Sequence, residues 1–101
     1  MKVELIDVDG HNFPNLPLMK ISAYHKKKGD SVAWYNPLTA WVNQPDRVYM
    51  SKVFTFTPDY QHPVNAREVI RGGTGYSYPD GGAELPEEIE HIYPDYSIYF
   101  E

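Results

Sequence analysis

The apolar positions of this chain fall in short blocks broken by Gly, Pro and Asn, and the spacing within each block predicts its element. Val3, Leu5, Ile6 and Val8 are nearly continuous, as in a strand covered on both faces, so Lys2–Val8 reads as a strand ended by Asp9-Gly10. From Leu16 to Lys28, Leu18, Ile21, Ser22 or Ala23, and His25 recur at helical spacing. Asn15 stands at the N-cap, Pro17 sits in the first turn where Pro is tolerated, and Gly29 ends the helix. Ser31–Tyr35 reads as a second strand, closed by Asn36-Pro37. Strand, helix, Gly turn and strand in that order make a βαβ unit, with parallel strands and a right-handed crossover.

Two further strands follow. Arg47–Phe56 is the most strand-like run, with its first half buried and Ser51, Lys52, Thr55 and Thr57 carried out toward an end. Glu68–Arg71 is short and stops at Gly72-Gly73-Thr74-Gly75, and Asp80-Gly81-Gly82 is another Gly-rich turn. Leu85–Ile92 has helical character, with Pro86 early and Glu residues near its positive end. The tail Tyr93–Phe100 is aromatic enough to pack but too Pro-marked to assign. The connections on either side of the third strand carry Pro37, Pro45, Pro58 and Pro63 and are barely long enough for a crossover helix, so loops or single turns are expected in place of full helices. The expected fold is a single α/β domain over residues 1–101, compact and Rossmann-like or flavodoxin-like. Its sheet is mostly parallel, with about four to five strands and few helices.

Composition narrows the partners. With 101 residues, 42% hydrophobic and 15% aromatic, the chain can build one core, and its nine Tyr suit a surface that makes contacts. The net charge of −5 argues against nucleic acid as a partner. The one basic run, Lys26-Lys27-Lys28, falls where cations offset a helix dipole and stay in water. There is no Cys, which excludes disulfides, thiolate zinc and iron–sulfur ligation. No apolar run is long enough to span a membrane and the start does not read as a signal peptide, so a cytoplasmic protein is expected.

In a parallel sheet, ligands sit beyond the carboxyl ends of the strands. That edge should gather Asp7, Asp9, Gly10, His11 and Asn12 from the first strand, Ser51 to Thr57 from the third, and Gly72 to Gly75 from the fourth. Asp7-Val8-Asp9-Gly10 after an apolar strand is similar to the first motif of the haloacid dehalogenase superfamily, which would make Asp7 a nucleophile and Asp9 a general acid beside magnesium. The chain offers no good match to the later Lys and acid pair of that family. A metal site from Asp7, Asp9 and His11, with His25, His62 or His91, is feasible on alternation but lacks helical His spacing. Bland roles compete at every position: Asp9-Gly10 as a turn, Asn12 and Asn15 as caps, Gly72, Gly73 and Gly75 as sources of positive φ.

Taken together, the three loops resemble a known arrangement. Asp9-Gly10-His11-Asn12-Phe13-Pro14 is similar to a D-x-H-x-x-G motif, Ser51-Lys52-Val53 to S-x-L, and Gly72-Gly73-Thr74 to a G-G turn, in the order used by cobalamin-binding domains. The stretches IDVDGHNFPN, VYMSKVFTFTPD, IRGGTGY and LPEEIEHIYPDYS occur in this order and resemble the N-terminal region of phage and bacterial radical S-adenosylmethionine proteins. The resemblance implies a cobalamin-binding-like domain, with His11 as lower axial ligand and Asp9 as its hydrogen-bond partner. It also implies that Ser51, Gly72, Gly73 and Thr74 contact the cofactor tail, with Gly10, Asn12 and Thr55 among the cofactor-binding residues. Pro14 stands where that motif has Gly, and the cluster-binding Cys of such enzymes lie beyond the matching region.

The chain is therefore expected to be a non-catalytic accessory or ligand-binding domain, partnered by a protein or by a catalytic domain. The alternative is a small phage or mobile-element module that binds a host protein through its acidic, Tyr-rich surface. Exposed edge strands make a homodimer a further expectation.

Overall fold

The structure is a computed structural model that describes residues 1–10, 14–52, 59–60, 63–72, 89 and 91–100. Four strands, β1 (Lys2–Asp7), β2 (Ser31–Trp34), β3 (Arg47–Ser51) and β4 (Glu68–Gly72), form one sheet in the order β2-β1-β3-β4. All three pairings are parallel. Among the described residues, the helices α1 (Leu16–Lys27), α2 (Pro37–Ala40) and α3 (Ser97–Phe100) accompany them. This is the small α/β fold that the spacing predicts, with a single helical turn, α2, in the Pro-bearing connection between β2 and β3.

Local chemistry explains the first unit. The Asn15 side chain accepts from the Leu18 amide at 3.0 Å, giving α1 its cap, and Pro17 occupies the first turn. At the other end Gly29 takes φ +91°, its amide donates to Lys26 O, and the Asp30 amide donates to His25 O. These are the paired bonds of a Schellman cap, and the positive φ is why Gly stands there. The basic run behaves as a helix end should: all three lysines are exposed, and Lys26 pairs with Asp95 at 2.7 Å.

Strand alternation divides the core in two. Val3, Leu5 and Tyr49 meet Leu18 and Ile21 of α1 and Ile89 on one face. Ile6, Val48 and Met50 meet Val8, Tyr35, Tyr60, Val64, Ala66 and Val69 on the other. Burying each such large side chain contributes on the order of 1.5–3 kcal/mol. The near-continuous apolar run of β1 is thus covered on both faces, with one exception. Glu4 is buried in mid-strand; its Oε1 has no hydrogen-bond partner and its Oε2 lies 3.6 Å from the Lys2 ammonium.

Several boundaries differ from the sequence reading. β1 stops at Asp7, because Val8 and Asp9 enter a turn in which the Gly10 amide donates to Asp7 O at 3.1 Å. Within the described residues β3 ends at Ser51, and both Ser51 and Lys52 are buried rather than carried outward. The predicted helix Leu85–Ile92 lies largely outside the described residues, with Ile89 buried in the first core. The unassigned tail contains α3.

Candidate functional site at the carboxyl edge of the sheet

Register places Asp7, Ser51 and Gly72 side by side as the last pairs of β1, β3 and β4. The chain leaves each strand still held to its neighbour: the Val8 amide donates to Ser51 O at 3.0 Å and the Lys52 amide to Gly72 O at 3.1 Å. The three strand-end loops therefore do start from one edge. In this order β2 lies on one side of β1 and β3 on the other, so the edge between β1 and β3 is the topological switch point where α/β sheets bind ligands.

Two polar side chains at that edge, Ser51 and Asp7, are turned to internal partners. Ser51 and Asn15 are both buried, and the Asn15 amide donates to Ser51 Oγ at 2.9 Å while its carbonyl oxygen lies 3.2 Å away as acceptor for the hydroxyl. One asparagine thus caps α1 and locks it to the end of β3. Asp7 is buried on the same face and accepts a hydrogen bond from the Tyr99 hydroxyl of α3. Burial, the hydrogen bond to Asp7 and the charges of Asp7 and Asp9 hold the Tyr99 phenol far above the usual range, so it remains a donor.

The segment bearing Tyr99 is strapped to the same face. Asp95 accepts from Ser22 Oγ at 2.7 Å and from Lys26 Nζ at 2.7 Å, and its amide donates to Met19 O at 2.9 Å. Burial opposes ionisation of Asp95, but the bonds from Lys26, Ser97 and Ser22 outweigh it and hold the carboxyl well below the usual range. The indole of Trp34 donates to Ile98 O at 3.3 Å and meets the Tyr99 ring edge-on at 5.3 Å between centroids.

A second polar chain crosses the opposite end of the sheet. Fully buried His25 has Nδ1 2.8 Å from Asp30 Oδ2 and Nε2 2.8 Å from the Tyr49 hydroxyl, which in turn accepts from Arg47 at 2.9 Å. Asp30 can only accept, so Nδ1 carries the proton, and Nε2 of the neutral ring accepts from Tyr49. Desolvation is the largest influence on His25 and lowers its pKa despite Asp30; the His25 bond in turn lowers that of Asp30.

The sequence-predicted site residues are only partly brought together. Asp7, Asp9, Gly10, Ser51 and Gly72 stand at this edge, whereas His11, Asn12, Thr55, Gly73 and Thr74 lie outside the described residues. Gly10, at φ +89°, is the left-handed turn residue that the bland reading expected, and Gly72 closes β4 as a strand residue. Among the described residues no three His, Asp or Glu side chains gather in a way that could hold a metal ion, and His25 is taken up by Asp30 and Tyr49. Ser51 does not fit a corrinoid tail as it stands, since its hydroxyl is buried and shared with Asn15. Asn15 and Tyr99, which do most to shape the edge, were legible only as a cap and an unassigned aromatic. Comparison with protein-family models, curated proteins and solved structures gives no match.

Proposed function

We propose that this chain is a non-catalytic accessory domain, of the kind its sequence resembles at the N-terminus of radical S-adenosylmethionine proteins, and that it serves a catalytic partner as a rigid platform. The observation that carries this reading is the use of the edge's polar groups. Ser51 is spent on Asn15 and Asp7 accepts from Tyr99, so the serine and acid at the switch point join β3 to α1 and β1 to α3. A reacting serine or carboxylate needs a base, an acid or a substrate within hydrogen-bond reach. Among the described residues, Asn15 and Tyr99 are partners within that reach, and they join elements of the fold.

Hydroxocobalamin tests the reading against its nearest competitor. Titrated into the protein, it should leave its visible spectrum unchanged, and Ser51→Ala should lower the unfolding midpoint by several degrees, as expected when a buried hydrogen bond is lost. A saturable spectral shift that His11→Ala abolishes would overturn the reading in favour of a cobalamin-binding domain. So would a Ser51→Ala protein as stable as the parent, because polar groups kept for a ligand tend to cost stability.

A further inference from the structure

The polar chain at the amino ends of the strands runs in one direction. Arg47 can only donate and the Asp30 carboxylate can only accept, which fixes the two groups between them. Arg47 donates to the Tyr49 hydroxyl at 2.9 Å, Tyr49 donates to His25 Nε2 at 2.8 Å, and His25 Nδ1 donates to Asp30 at 2.8 Å. His25 is fully buried and Tyr49 is buried beside it. This arrangement satisfies each link with one proton, and it requires a neutral imidazole.

The surroundings of His25 decide what a second ring proton would meet. From β3 come Tyr49 and the Arg47 guanidinium, and from β4 comes Glu68, which accepts from Arg47. The end of α1 adds the Tyr24 ring, edge-on at 5.1 Å, and beyond it Lys28, whose ammonium lies 4.0 Å from Asp30. Asp30 also accepts from the Met1 amine at 3.2 Å. β1 and β2 turn apolar Val3, Leu5 and Val32 to the same core. A proton on Nε2 points at an oxygen that already accepts from Arg47, and it takes from the Tyr49 hydroxyl the acceptor for its own proton. It also brings an imidazolium toward a guanidinium, whereas on the Asp30 side it completes an ion pair. The conflict falls on one link, His25 to Tyr49.

The two sides of that link are unequally held. β3 is paired along Arg47–Ser51 with β1 on one side and β4 on the other. The end of α1 rests on the amides of Lys28, Gly29 and Asp30, which donate to Tyr24 O, Lys26 O and His25 O, and residues 26–29 are exposed. His25 and Asp30 both belong to this end, so they move together as an ion pair. We infer that the chain of bonds is an acid-operated latch: protonation of His25 releases the last turn of α1 and the Asp30 turn from Tyr49 while the sheet stays folded. The opening is local and lies at the end of the molecule away from the switch point.

Amide hydrogen exchange of the whole chain, followed by NMR from about pH 7.5 to 4.5 as protection factors, tests this. The nitrogen shifts of the His25 ring at the upper pH should show a neutral imidazole with its proton on Nδ1. As pH falls, protection at Lys28, Gly29 and Asp30 should drop by up to about tenfold per pH unit, the slope of an opening coupled to one proton. About 1 M urea should leave that exchange unchanged, since a local opening exposes little surface. The amides joining β1 to β3 should stay at least about 100-fold better protected and respond to urea. His25→Gln keeps a donor and an acceptor but offers no site for the extra proton, so it should abolish the pH dependence at the three amides. A ring proton on Nε2, protection at the three amides that does not change with pH, or exchange there that follows urea as the sheet does would each overturn the inference in the parent chain alone. So would a His25→Gln protein with the parent's pH dependence.

Discussion

At the scale of single residues, burial decides what a polar side chain does. Ser51 and Asp7 stand at the switch point of the sheet, yet the Ser51 hydroxyl is shared with Asn15 and Asp7 accepts from Tyr99. His25 shows the same economy at the other end, held neutral between Asp30 and Tyr49. Its depressed pKa gives a signed expectation. Below about pH 6.5 the unfolded chain takes up a proton at His25 that the folded chain resists, so stability present above that value is lost as pH falls through it. One such proton amounts to at most about 1.4 kcal/mol per pH unit. Thermal unfolding at pH 7.5 and 5.5 should show His25→Gln less stable at the higher pH but with a flatter pH dependence than the parent. Parallel pH dependences would show that His25 does not titrate across unfolding. The position of His25 on the buried helix face was legible from spacing; its partners, contributed by β3 and the β2 approach, were not.

At the scale of elements, the caps were the most legible features and remain the most testable. Asn15, Pro17 and Gly29 announce the limits of α1 because each answers a local backbone need: an orphan amide, a free first turn, a positive φ. Gly29 has nothing within 4 Å of where a Cβ would sit. Gly29→Ala should therefore cost only the left-handed backbone, about 1–2 kcal/mol. Asn15→Ala should cost more, since it removes the cap and also strands the buried Ser51 hydroxyl. Denaturant unfolding of the two variants checks that order, and the reverse order would mean that Asn15 is a cap alone. The helix α2 was hidden because four residues give no periodicity, although Asn36-Pro37 carries a start signal. The turn residues that closed β2 in the sequence reading are the same ones that open α2.

At the scale of the whole molecule, the sequence could indicate a parallel sheet but not its strand order. Local periodicity says nothing about which neighbour β1 takes on its second side. The order β2-β1-β3-β4 follows from pairings such as Leu5 with Tyr49, far apart in the chain. The closing of the carboxyl edge was hidden for the same reason, since Asp7 and Tyr99 are 92 residues apart. The Pro-marked tail gave no helical signal, yet Asp95 ties it to α1 while Trp34 and Asp7 seat it on the sheet. The central claim is that this edge is built to hold the molecule together. A double-mutant cycle on Asp7→Asn and Tyr99→Phe, read by denaturant unfolding, tests it most directly. The account predicts that each substitution costs about 1–3 kcal/mol and that the pair costs at least about 1 kcal/mol less than the sum, because the two groups share one buried bond. Additive losses, or a Tyr99→Phe protein more stable than the parent, would contradict it.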